Sequence, residues 1–169
     1  DIFLQALALL KQQNYSFQAK IAGDGSQKKY LINLCLDYGL LDDVIFLDWV
    51  ENQASFYQNI DIFCLPSLYD SFPNAVLEAL CSGLPIATTN AVGIAEAIQK
   101  EEAGIVCERT PEAISVALEK AWQHKKEMSK NAITLSENYD INVTSQLWLD
   151  LYNKLINKKK DCSIENTSY

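Results

Sequence analysis

Short apolar runs alternate with stretches of helical spacing along most of this chain. The runs are Phe17 to Ala22, Val44 to Leu47, Ile60 to Leu65, "LPIATT" and Gly104 to Cys107. Between them, Phe3, Ala6, Leu7 and Leu10 repeat at helical spacing, as do Leu31, Leu34, Cys35 and Tyr38, and Ile114, Ala117, Leu118 and Ala121. Shorter helices are expected around residues 51–58, over 74–82 and in "GIAEAIQ". A strand with one wet face would alternate polar and apolar residues, and these runs do not. Continuous apolar strands separated by helices belong to a parallel sheet covered on both faces. The expected class is α/β: a Rossmann-like three-layer α/β/α domain with about five to six parallel strands. Thr110-Pro111 reads as an N-cap followed by proline in the first helical position. Ligands of such sheets bind beyond the carboxyl ends of the strands. That directs attention to Gly23 to Gly25, Asp48 to Val50, Ser67 to Asn74 and Thr88 to Glu96.

Composition narrows the classes further. The 169 residues fit one domain, and 49% apolar residues suffice for its core. The net charge of -8 opposes holding nucleic acid or an anionic membrane by bulk charge. It leaves room for a small anion, which backbone amides can bind. Five cysteines, at 35, 64, 81, 107 and 162, include no Cys-x-x-Cys pair. Free thiols in a reducing cytosol are expected, with neither a metal site nor a disulfide framework. No apolar run reaches the ~18 residues of a membrane-spanning helix. The chain opens in helical pattern without an initiator Met, so it is expected to be part of a longer protein, its domain over residues 1–157 and a polar tail over 158–169. His124 falls in a charged stretch and is expected in solvent. Trp122 and Trp148 suit packing. Trp49 follows a strand end and is the one Trp placed to line a site, but core packing is the preferred reading for it.

Three constellations carry candidate chemistry. Gly23-Asp24-Gly25 after a strand permits a tight turn and close approach to a ligand. Lys28 stands where a dinucleotide fingerprint needs its third glycine, so a plain strand-to-helix turn is the preferred reading of this motif alone. In "YDSFPNAVLEALCSGLP", residues 69–85, Ser71 is the expected N-cap of a helix with Pro73 in its first turn. The free amides of Asn74 and Ala75 at its start suit a phosphate. Asn74 and Glu78, four apart, share a face. Glu78 among apolar neighbours either reaches solvent or accepts hydrogen bonds in a cleft, where sugar or ribose hydroxyls are suitable donors. The third constellation, Gly93-Ile94-Ala95-Glu96 after Thr88-Thr89-Asn90, is a polar loop leading to a carboxylate at a helix start, for which simple capping is the preferred reading when the loop is taken alone.

Together, "PSLYDSFPNAVLEALCSGLPIATTNAVGIAEAI", "IAGDG" and "VIFLDWV" resemble the C-terminal domain of the family 4 retaining glycosyltransferases (glycosyl transferases group 1), over about residues 1–157. The resemblance implies the C-terminal half of a GT-B fold, binding the nucleotide of a UDP- or GDP-sugar donor. It implies ribose contact through Glu78 and phosphate contact through the amides of Asn74 and Ala75. Asp70 stands at the catalytic carboxylate beside the donor sugar, and Val50 lies near the base. Ser71, Phe72, Gly23 and Gly25 complete the implied donor site. The chemistry implied is transfer of the sugar with retention to a glycan, lipid or other hydroxyl acceptor, the leaving phosphate assisting the incoming hydroxyl. No cofactor or metal is implied. Asp70 replaces the family's Glu, and Pro73, which has no N–H, replaces its Gly. The family's diphosphate-gripping Arg and Lys precede the helix that opens this chain, and its acceptor domain lies upstream. The 169 residues alone are therefore expected not to turn over. The full-length protein is expected in the cytoplasm, at most peripherally on the inner membrane face. Two alternatives stand beside this: a non-catalytic, degenerate nucleotide-binding or protein-interaction module, and another GT-B-like enzyme such as a sugar-nucleotide epimerase.

Overall fold

The computed structural model describes the backbone of residues 1–165 and the side chains of residues 1–157. Five strands form: β1 Ala19–Ala22, β2 Val44–Leu47, β3 Phe63–Leu65, β4 Ile86–Thr89 and β5 Gly104–Cys107. The helices are α1 Ile2–Gln12, α2 Lys28–Asp37, α3 Gln53–Gln58, α4 Asn74–Cys81, α5 Ala95–Lys100, α6 Pro111–Gln123, α7 Lys125–Glu137 and α8 Ile141–Glu165. Every ladder between these strands is parallel. β1 pairs with β2, Ala19 opposite Val44, and β4 lies between β3 and β5, Ile86 opposite both Phe63 and Gly104.

The strands thus form two hydrogen-bonded parts, β1-β2 and β3-β4-β5, rather than one ladder. The helices cover both faces. Leu4, Leu7 and Leu10 of α1 and Cys35 of α2 pack on Ala19 and Val44, joined by Leu118 of α6. On the other face Tyr57 of α3, Val76 and Leu80 of α4, Ile98 of α5 and Leu135 of α7 pack around Ile86. β4 is buried along its whole length, so its Ile-Ala-Thr-Thr needs no polar alternation.

Between the outer edges of β1 and β3 runs a cleft of about 860 Å³. Residues 15–23 and 59–66 line it one after another. The cleft also explains why the expected run from Ile60 shortens to a strand from Phe63: the residues before it follow an edge with no neighbouring strand among the described residues.

Local details follow the sequence in part. Thr110 caps α6, its Oγ1 accepting from the Ala113 amide at 3.1 Å, with Pro111 opening the helix. Thr110→Ala should cost about 1 kcal/mol, read as a lower urea midpoint with unchanged slope. His124 is exposed but breaks the charged stretch, serving as the junction between α6 and α7. Trp122 and Trp148 are largely exposed, contrary to the packing role expected, and Trp122 borders the cleft. Leu147, Leu151 and Leu155 of α8 are likewise exposed. α8 takes in residues 158–165 of the expected tail; 166–169 lie outside the described residues.

Candidate functional site

The chain builds outward from β1 to β2, then returns to β3 and builds the other way through β4 to β5. The cleft between β1 and β3 therefore marks the reversal of strand order, where open α/β sheets bind ligands at the carboxyl ends of their strands. Gly23 lies just beyond β1 with φ of 122°, a conformation that side chains rarely allow, and its amide donates to the Asp48 carbonyl at 3.2 Å. Trp49 and Val50 follow β2 at the cleft, Trp49 77% exposed, so it lines the site rather than the core. Lys28, at the position that excluded a dinucleotide fingerprint, pairs with Asp48.

The loop beyond β3 is fastened from β4. Thr88 and Thr89 are buried, and their hydroxyls donate to the carbonyls of Leu65 at 2.9 Å and Ser67 at 2.7 Å. Asp70 forms a parallel bridge with Val92: its amide donates to Ala91 at 3.3 Å, and its carbonyl accepts from Gly93 at 2.9 Å. Gly93 is present because the chain leaves no room: a Cβ there would stand 1.8 Å from the Ser71 carbonyl oxygen. The third constellation thus clamps the second, a function that spacing alone does not reveal. The Asp70 carboxylate accepts from the Phe72 amide at 3.2 Å, tightening the turn.

α4 begins later than the cap reading placed it. Pro73 is the cap residue and no side chain caps the helix, so Ser71 is not its N-cap. The fixed φ of Pro73 and the clamp on Ser71 hold the chain extended up to Asn74. Among the described residues no group accepts from the Asn74 or Ala75 amide, leaving both donors at the positive end of α4 for a ligand.

Glu78 is half-buried on α4 and lines the cleft with Ala75. Its Oε2 accepts from the Tyr57 hydroxyl at 2.8 Å. The same hydroxyl lies 3.4 Å from the Ala75 carbonyl. Burial, then the hydrogen bond to Glu78, holds the Tyr57 phenol above its ordinary value of 10.0. A raised folded-state value means the neutral phenol supports the fold below pH of about 10, and that support is lost as pH rises through the folded value. Stability should therefore fall more steeply above pH of about 10 in the natural chain than in Tyr57→Phe, as measured by urea midpoints in alkaline buffers.

The structure brings Gly23, Val50, Ala75 and Glu78 to one cleft. Asp70, Ser71, Asn74 and Gly25 stand on loops and a helix start outside its walls. Phe72 turns toward the segment between α7 and α8, meeting the Tyr139 ring edge-on at 5.3 Å. Two residues escaped the sequence reading. Tyr57 gave no signal, because only packing brings α3 onto Glu78. Arg109 did give one: the chain's one arginine follows a strand end, and its Nε donates to the Pro66 carbonyl at 3.0 Å, placing the cation at the carboxyl edge.

A family model described as "Glycosyl transferases group 1" matches residues 1–138. An uncharacterized glycosyltransferase of Haemophilus influenzae is 28% identical over 153 residues, 88% of this chain and 43% of the relative. An O-antigen biosynthesis glycosyltransferase of Escherichia coli is 39% identical over 90 residues, 53% of this chain and 24% of the relative. Among solved structures, a Rickettsia africae glycosyltransferase superposes with TM-score 0.81 at 18% identity, over 92% of this chain and 44% of that one. An Anabaena protein (HepE) solved in complex with UDP gives TM-score 0.77 at 20% identity, over 90% and 44%. The chain spans less than half the length of these relatives. Their shared architecture is that of the GT-B glycosyltransferases.

Proposed function

The chain belongs to the glycosyl transferases group 1 family, and we propose that its part in such an enzyme is to hold the nucleotide diphosphate of a sugar donor. Transfer then runs to a glycan, lipid or other hydroxyl acceptor bound by the rest of the protein. The carrying observation is the pairing of Glu78 with two unpartnered amides, Asn74 and Ala75, on one helix at the reversal of strand order. Glu78 accepts from the ribose hydroxyls, and the amides face the diphosphate. Val50 and Trp49 border the base. Asp70, on the clamped loop, faces the cationic sugar as the bond to the leaving phosphate breaks. Its arm is one methylene shorter than Glu, so a water bridges it to the sugar. Transfer proceeds with retention, the departing phosphate accepting the proton of the incoming hydroxyl.

UDP is the first probe, because the Anabaena protein of the same fold was solved with UDP and with UDP-glucose. UDP at 100 times its dissociation constant should stabilise the chain by about 2.7 kcal/mol, seen as a raised melting temperature. GDP is the comparison that decides the base. No shift with either nucleotide would overturn donor binding. The 169 residues alone should bind without transferring, and measurable sugar transfer by them would overturn the division of labour proposed. No described helix is long and apolar enough to cross a membrane; the place proposed for the whole protein is the cytoplasm, at the inner membrane face when the acceptor is a lipid.

A further inference from the structure

We infer that Arg109 is a positioning residue: it fixes the loop that carries Asp70 and so sets where that carboxylate stands against the donor sugar, a role that rests on the part proposed for Asp70. β3 ends at Leu65, and there the chain leaves the sheet. Three successive carbonyls at this exit accept from side chains. Leu65 accepts from Thr88 at 2.9 Å, Pro66 from Arg109 Nε at 3.0 Å and Ser67 from Thr89 at 2.7 Å. Backbone groups that leave a ladder need such partners, and Pro66 has no N–H to contribute.

Packing does not steady this stretch. Leu68 and Tyr69, between Ser67 and Asp70, are 76% and 79% exposed, and among the described residues no backbone bond reaches either of them. The hydrogen bonds at 65–67 therefore decide the course of the chain toward Asp70. Thr88 and Thr89 are buried in β4 and belong to the sheet itself. Arg109 comes from outside it, two residues past β5, and spans the carboxyl end of β4 to reach Pro66. Strands separated by one neighbour lie about 10 Å apart, a gap that a long side chain closes and a short one does not. A guanidinium donor also makes a charge-assisted bond, about twice as strong as a neutral one.

The guanidinium has a second neighbour. Its Nη2 lies 3.9 Å from the Asp1 carboxylate, which itself accepts from the Ile2 amide at the start of α1. The planar fork thus stands between the Asp70 loop and α1, which fixes its own orientation. From Asp70 onward the chain is held by other means: Asp70 bonds to the Ala91 and Gly93 backbone, and Gly93 lies against Ser71. Loss of the Arg109 bond therefore frees the approach to Asp70 and leaves Glu78 and the amides of α4 in place.

Arg109→Met and Arg109→Lys test this in the natural protein that contains these residues. Met keeps the aliphatic stem and removes the donor, whereas Lys keeps a charged donor. In Arg109→Met the Asp70 amide, bonded to Ala91, should exchange at least about tenfold faster, while the Ile98 amide of α5 is unchanged and UDP binds within about threefold of its natural affinity. Arg109→Lys should recover most of the protection. With UDP-glucose as donor, Arg109→Met should lower kcat for UDP release about tenfold with KM little changed, and should have no further effect in an Asp70→Asn background. Unchanged exchange at Asp70 overturns the inference. So does faster exchange throughout the protein, which would mean a general loss of stability. A fall in UDP affinity with Asp70 still protected would put Arg109 on the nucleotide itself and overturn it as well. A natural protein that binds neither UDP nor GDP overturns the donor reading, and the exchange pattern separately decides whether Arg109 holds the loop. Should UDP-glucose not be turned over, exchange and the UDP titration decide without it.

Discussion

Gly93→Ala should lose UDP binding by about 100-fold and, with it, roughly 3 kcal/mol of stability. The new Cβ would stand 1.8 Å from the Ser71 carbonyl oxygen and 2.8 Å from its carbon. Ordinary contact needs about 3.5 Å, so the two segments must part by more than about 1 Å. Neither is a flexible side chain. Gly93 is tied to Asp70 by a 2.9 Å backbone bond, and Ser71 leads through Pro73 directly into α4. The displacement therefore moves the Asp70 carboxylate and the Asn74 and Ala75 amides together. A shift of about 1 Å in groups that position a ligand is enough for a hundredfold effect. Urea denaturation and UDP titration read the two consequences separately. Gly25→Ala is the contrast: its Cβ would meet nothing within 4 Å, so stability should hold and any loss of affinity would report a ligand contact at Gly25. A Gly93→Ala chain with natural stability and affinity would show that the clamp on the Asp70 loop does not hold the site.

The order and class of the elements were legible because they rest on periodicity. Apolar runs flanked by helical spacing dictate parallel strands, and β1 to β5 fall within the runs that predicted them. What stayed hidden depends on contacts between distant segments. The alternation of strands and helices cannot say that β1 and β3 stand apart, because strand order is not written in any single run. Ser71 looked like a cap by residue type, yet the close approach of Gly93 to its carbonyl and the fixed φ of Pro73 set the helix start two residues further on. The Gly-Ile-Ala-Glu stretch read as capping, whereas its glycine is a steric notch for another loop. Glu78 was legible as a polar residue in an apolar helix, but its partner was not: Tyr57 lies 21 positions away. Trp122 shows the converse error, since a large apolar residue on an amphipathic helix need not face inward.

Glu78→Gln should weaken UDP by about tenfold to a hundredfold and weaken 2′-deoxy-UDP, which lacks one of the two hydroxyls, by distinctly less. A hydrogen bond from a neutral hydroxyl to a carboxylate contributes about 1.5 to 3 kcal/mol, and about 1.4 kcal/mol is a factor of ten. Removing the ligand's 2′-hydroxyl or the residue's charge deletes the same bond, so the second deletion should have a smaller effect than it has alone, the outcome of a double-mutant cycle between coupled groups. Gln keeps the size of Glu78 and can still accept from the Tyr57 hydroxyl, so the fold has no reason to change. Tyr57→Phe completes the argument. The hydroxyl it removes donates to Glu78 Oε2 at 2.8 Å and fixes which way the carboxylate points. Without it the carboxylate remains but samples more rotamers, so UDP should weaken by less than in Glu78→Gln, and the 2′-deoxy ligand again by distinctly less. Equal weakening of both nucleotides would mean that Tyr57 merely packs. A natural chain that does not distinguish UDP from its 2′-deoxy form would remove Glu78 from the 2′-hydroxyl, leaving the 3′-hydroxyl and the amides of α4 to carry whatever nucleotide affinity the titration records.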